Sequence, residues 1–124
     1  MEIMFLILMF YAHFVDDYVL QGCLANLKQK AWWKDKTPPD VNPALYKYDY
    51  LMGLFCHALM WSISIMIPTM FAGVFIWWLV PINFIIHFIV DDLKANRHKI
   101  NLVIDQSIHF VQIILTFCLC FIWI

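Results

Sequence analysis

Long apolar stretches alternating with short polar ones decide how this chain is read. Residues 3–20 carry no charged side chain until Asp16, and none occurs between Tyr50 and Val90. A membrane-spanning helix needs about 20 mostly apolar residues. The second stretch is long enough for two spans, and Pro68-Thr69 and Gly73 are its only punctuation. A helical hairpin over 50–67 and 71–90 is therefore expected. Residues 102–124 supply a fourth apolar segment. Helices are the natural form because backbone groups in lipid must pair within their own segment. Strands fail on length and on the lack of period-two alternation. The predicted fold is all-α: one polytopic membrane domain over 1–124, with spans at 3–20, 50–67, 71–90 and 102–124.

Composition agrees: 64% of the 124 residues are hydrophobic and 14% charged, too apolar for an ordinary soluble domain. A net charge of −1 and the lack of a basic patch interleaved with aromatics speak against nucleic acid as a partner. Glu2 stands where a signal peptide would be basic, and no small-x-small site follows, so residues 3–20 are expected to be a retained span. The four cysteines, Cys23, Cys56, Cys118 and Cys120, form no paired framework and are expected as small apolar fillers. Lysines crowd the 21–49 loop, and Lys94, Arg97 and Lys99 crowd the 91–101 loop. The positive-inside rule makes both loops cytoplasmic and both termini external. Within the first loop, Leu24 to Trp33 reads as one short interfacial helix, its lysines toward headgroups.

Three ionic pairs share one spacing. His13/Asp17, His87/Asp91 and Asp105/His109 are each i,i+4, which places both members on one helix face. Gln21 extends the first stripe, Asn83 and Lys94 flank the second, and Gln112 and Thr116 continue the third. His57 is alone in the second span, with Gly53 and Ser64 on its side. At ~1.5 Å per residue, the four imidazoles fall about 6–12 Å below the inner membrane boundary. Four helices of alternating direction thus place their ionisable groups in one layer.

Ionisable residues inside a span are costly and mark function. Three carboxylates facing one interior must protonate, pair with Lys94 or Arg97, or bind a divalent cation. Neutral imidazole with carboxylate suits zinc first, with manganese or iron as alternatives. The expected ligands for one or two ions are His13, Asp17, His57, His87, Asp91, Asp105 and His109, some of the aspartates standing behind histidines instead. Asp17, Asp91 and Asp105 are the candidate catalytic carboxylates, and Gln21, Lys94, Arg97 and Gln106 the candidate substrate contacts. Asp16 and Asp92 read as inner-surface charges, and His98 as a solvated loop residue.

The pattern His-x-x-x-Asp-x-x-x-Gln, a lone His, His-x-x-x-Asp-x-x-Lys and Asp-Gln-x-x-His runs over His13, Asp17, Gln21, His57, His87, Asp91, Lys94, Asp105, Gln106 and His109. It resembles a domain-of-unknown-function family of small four-helix membrane proteins of bacteria and their phages. It is similar in motif style to integral-membrane metal-dependent hydrolases. The resemblance implies a bacterial inner membrane protein.

The leading functional expectation is a metal-dependent hydrolase of a lipid or lipid-phosphate at the cytoplasmic leaflet. The basic loops would attract an anionic headgroup. Two other classes stay open: a metal-stapled binding protein acting on a host membrane component, and a metal or proton transporter. Membrane lipid is the expected partner, and a homo-oligomer stays open.

Overall fold

The computed structural model describes residues 2–122. Its helices are α1 (Glu2–Phe14), α2 (Leu24–Leu27), α3 (Lys30–Lys36), α4 (Asp49–Phe71), α5 (Leu79–Ala95) and α6 (Leu102–Phe121). A π-helical turn, Val15–Leu20, continues α1, and a 3-10 turn, Pro43–Tyr46, leads into α4. Among the described residues there is no β-strand. The four long helices pack in a ring, α1 and α5 each lying against both α4 and α6.

The burial pattern is that of a soluble bundle turned inside out. Ile3, Ile7 and Tyr11 of α1, Ile82, Ile85 and Ile89 of α5, and Val111, Ile114 and Leu115 of α6 face outward. Histidines and carboxylates face inward. Such an apolar girdle suits lipid, not water. Three segments are long and apolar enough to cross a membrane: Glu2–Leu20, Pro43–Phe71 and Leu102–Phe121. Helix α5 has 17 residues, about 26 Å at ~1.5 Å each.

At the far end from the ionic residues the interior is mainly apolar. Met9, Trp61, Ile65, Met66, Ile113 and Phe117 form one cluster there, contributed by α1, α4 and α6. The α4–α5 turn falls at 72–78, later than the break at Pro68 that the sequence predicts. Proline near a helix end forfeits few backbone bonds, so α4 runs through it. The helix stops at Gly73, whose φ of +75° suits glycine. There the Val74 N–H reaches the Thr69 carbonyl and the Gly73 N–H reaches the Met70 carbonyl, a Schellman cap. Helix α5 in turn begins later than expected and continues past Val90 through Asp91 and Lys94. The Asn101 side chain caps α6 by accepting the Ile104 N–H at 2.9 Å, which sets Asp105 in the first turn.

The predicted helix over Leu24 to Trp33 is broken in two. Asn96 at the end of α5 clasps the break. Its Oδ1 accepts the Lys30 N–H at 2.8 Å and its Nδ2 donates to the Lys28 carbonyl at 3.0 Å. The segment lies so close to α4 that a Cβ on Gly53 would sit 2.6 Å from the Leu27 carbonyl carbon and 2.7 Å from the Lys28 nitrogen. Backbone must then shift, so Gly53→Ala is expected to lower stability by about 1–3 kcal/mol through overpacking. Detergent unfolding would register the loss, and protease cutting at residues 24–29 would show the strap lifting. Wild-type behaviour in both assays would contradict the close contact.

Candidate metal centre

The ionic residues of all four long helices meet below Trp61. Because α1 and α5 run one way and α4 and α6 the other, the end of the first pair lies level with the start of the second. His57 is the hub. Its Nε2 lies 3.2 Å from His87 Nε2, 3.3 Å from Asp17 Oδ1 and 3.3 Å from Asp91 Oδ2. His87 Nε2 is 3.9 Å from the same Asp91 oxygen, while Asp91 Oδ1 faces His109 Nε2 at 3.7 Å. Ligands about 2.1 Å from a tetrahedral ion stand about 3.4 Å apart, so these separations suit a shared cation. Two triads gather their ligand atoms within 4.8 Å, namely Asp17/His57/His87 and His87/Asp91/His109. They share His87, which makes them two ends of one cluster.

Unmet polar atoms concentrate at this place. Asp17 Oδ1, Asp105 Oδ1 and both nitrogens of His109 are buried with no hydrogen-bond partner among the described residues. Each such atom costs about 1–3 kcal/mol unless something binds it. The donor set therefore fits a divalent ion.

The expected ligands do not all converge. His13 is fully buried, but both its nitrogens are engaged. The Trp61 indole N–H donates to Nδ1 at 2.8 Å, and Nε2 lies 3.0 Å from Gln106 Oε1. That pairing fixes the proton on Nε2 and sets His13 beside the cluster, not in it. Asp105 likewise stands at the rim: Lys94 holds its Oδ2, and its Oδ1 lies 3.5 Å from His109 Nε2. Arg97, expected at the substrate, pairs with Asp92 at 2.7 Å and stays largely in solvent. Asp92 is thus a buried ion-pair partner, not a free surface charge. Gln21 turns back to the Asp17 carbonyl at 2.8 Å. Gln106 joins the layer, donating to Asp105 at 3.0 Å and to Asp17 at 3.3 Å.

Three contributors were not expected. Lys28, read as a headgroup lysine, is 4% exposed and donates to Asp91 Oδ2 at 2.6 Å. Only the fold of the loop could reveal it. Asp16 is buried, takes the Ser64 hydroxyl at 3.4 Å and lies 4.0 Å from His57 Nδ1, behind the ring. Its i,i+3 spacing from His13 was a legible signal, since i+3 and i+4 share a face. Trp61 stacks on His87 with ring centres 4.2 Å apart and roofs the layer.

Counting charges sharpens the picture. Asp16, Asp17, Asp91 and Asp105 share this interior with only two ammonium groups, Lys28 and Lys94. With neutral imidazoles two negative charges remain, which one divalent cation would balance. Beyond Trp61, Asn83, Gln112 and Thr116 bond to one another across α5 and α6, leaving Gln112 Oε1 without a partner among the described residues.

A cavity of about 380 Å³ opens from this layer toward the loops. Asp17, Gln21, Lys28, Lys94, His98 and Gln106 line it. Of the three candidate catalytic carboxylates only Asp17 fronts it.

The chain matches the family model described as Protein of unknown function (DUF3307) over residues 5–123. It belongs to that family. All the residues gathered at the centre lie within the match. Among curated proteins and among solved structures nothing matches the chain.

Proposed function

We propose that this DUF3307 member is a four-span inner-membrane protein of bacterial or phage origin. Its two basic loops face the cytoplasm and its termini lie outside. We read it as a metal-dependent hydrolase of an amphiphilic substrate, a lipid or lipid-phosphate, entering from the cytoplasmic leaflet. The observation that carries the reading is the convergence of Asp17, His57, His87, Asp91 and His109 at ligand spacing, beside a cavity bearing two lysines. His57, His87, His109 and Asp91 would hold one divalent ion, zinc before manganese or iron. When bound, such an ion lowers the pKa of a water and polarises an acyl or phosphoryl oxygen.

The remaining residues have distinct tasks. Asp17, at the cavity wall, takes the proton from the attacking water. Asp16 orients the His57 ring from behind, at Nδ1, whereas Asp105 meets His109 at Nε2, the nitrogen that also faces Asp91. Lys94 and Gln106 face the cavity and hold an anionic headgroup, with Gln21 at its mouth. Trp61 and the apolar cluster above it close the far end. That one-sided access favours chemistry over passage of an ion across the membrane.

Asp17→Asn is the test. The variant is expected to keep its metal and lose about 10²–10⁴-fold in hydrolysis. Turnover would be followed on a panel of lipid-phosphates and lipid-esters, with metal stripped and restored. If no member of the panel is cleaved in a metal-dependent way, the hydrolase reading falls. Contact of the centre with all four long helices favours a second reading in that event. The ion would then be a staple whose removal lowers the unfolding temperature alone.

A further inference from the structure

A second, open-sided cavity, of about 750 Å³, is bounded by α3, the 38–48 segment and the start of α4. It shares no lining residue with the cavity beside the metal centre. Lys30, Lys34 and Lys47 share its wall with Trp33, Tyr46 and Tyr48, and no carboxylate lines it. Lys28 and Lys94 are each paired with aspartates, but no described carboxylate lies within 4 Å of these three lysines. The Lys30 ammonium rests 4.6 Å over the Tyr50 ring and that of Lys47 lies 5.2 Å over Tyr48. Both are held in place by aromatic faces with their charge unanswered. Trp33 and Tyr46 are nearly parallel, 6.2 Å apart, and make a flat apolar wall.

The position matters as much as the lining. Tyr50 opens α4 inside the membrane-crossing candidate Pro43–Phe71, so the cavity sits at the end of a span. Tyrosine and tryptophan favour that level of a bilayer, where rings meet headgroups. Leu45 and Tyr48 beside it are 69% and 62% exposed, an apolar rim that water would not favour.

We propose that this cavity binds the phosphate headgroup of an anionic phospholipid from the adjoining leaflet. The three ammonium groups take the phosphate, and the Trp33–Tyr46 wall takes the glycerol and first methylenes. A free phosphate has nothing to place on that wall, which is why the lipid is the occupant. The inference rests on the membrane reading of the helices and is independent of any metal.

The experiment uses the full chain in nanodiscs of phosphatidylcholine alone or mixed with phosphatidylglycerol. Native mass spectrometry of the released protein reads which lipid stays bound. The wild type is expected to retain phosphatidylglycerol over phosphatidylcholine, and the preference should shrink as salt rises. Replacing Lys30, Lys34 and Lys47 together by Gln should reduce the preference about 30- to 150-fold. Circular dichroism confirms that the variant is folded, and the salt series on the wild type decides the matter if it is not. Equal retention of both lipids, a preference indifferent to salt, or a folded variant with undiminished preference would each overturn the proposal. So would displacement of the lipid by soluble glycerol phosphate at equal concentration, which would make the site one for free phosphates. Detergent-free dispersal in water would instead count against the membrane reading itself.

Discussion

Protein purified without chelator is expected to carry about one divalent ion per chain, and His87→Ala is expected to carry almost none. His87 belongs to both ligand triads, so its loss leaves neither complete. The remaining ligand atoms cannot draw together to compensate, because Asp91 is tied to Lys28 and Asp105 to Lys94. His109→Ala spares His57, His87 and Asp91 and should weaken binding without abolishing it. Elemental analysis of the purified variants reads both outcomes. Since His87 also stacks under Trp61, the His87→Ala cavity will cost about 2–5 kcal/mol of stability. His87→Gln fills more of that space and separates loss of metal from loss of packing. A wild type with no bound ion after growth in metal-supplemented medium would make the residual charge a matter of imidazolium rings, and the metal centre would be abandoned.

The second large effect is expected at Asp91. Its carboxylate meets Lys28, His57, His87, Lys94 and His109, more groups than any other in the layer. Asp91→Asn keeps the shape but leaves the Lys28 ammonium buried without a counter-charge. Breaking a buried pair in this way costs about 3–5 kcal/mol, because the orphaned ion cannot regain water. Adding Lys28→Met to Asp91→Asn should recover much of that loss, and the double-mutant cycle measures the coupling. Unfolding in graded denaturing detergent supplies the four free energies. Additive effects would show that the lysine does not seat on Asp91 in the membrane.

Much of this arrangement was legible beforehand because helical geometry is local. The rise and turn per residue are fixed, so His13/Asp17, His87/Asp91 and Asp105/His109 had to share faces, and the apolar lengths had to place them at one depth. The helical class and the inward layer followed from that alone. Boundaries were less legible. Pro68 looked like the end of α4, yet one missing N–H near a terminus did not stop the helix, and Gly73 did.

The sequence by itself put the pairs His13/Asp17, His87/Asp91 and Asp105/His109 on shared faces at one level, since a helix fixes both from within one segment, but it left the buried Asp16, Asp92 and Lys28 at the surface. Tertiary structure decided which atoms meet. His13 is engaged by Trp61 and Gln106, Arg97 by Asp92, and a loop lysine enters to hold Asp91. None of these follows from spacing, because each partner comes from another segment of the chain. How helices rotate against their neighbours, and where a loop docks, are fixed by packing and by the balance of buried charge, which no single stretch contains.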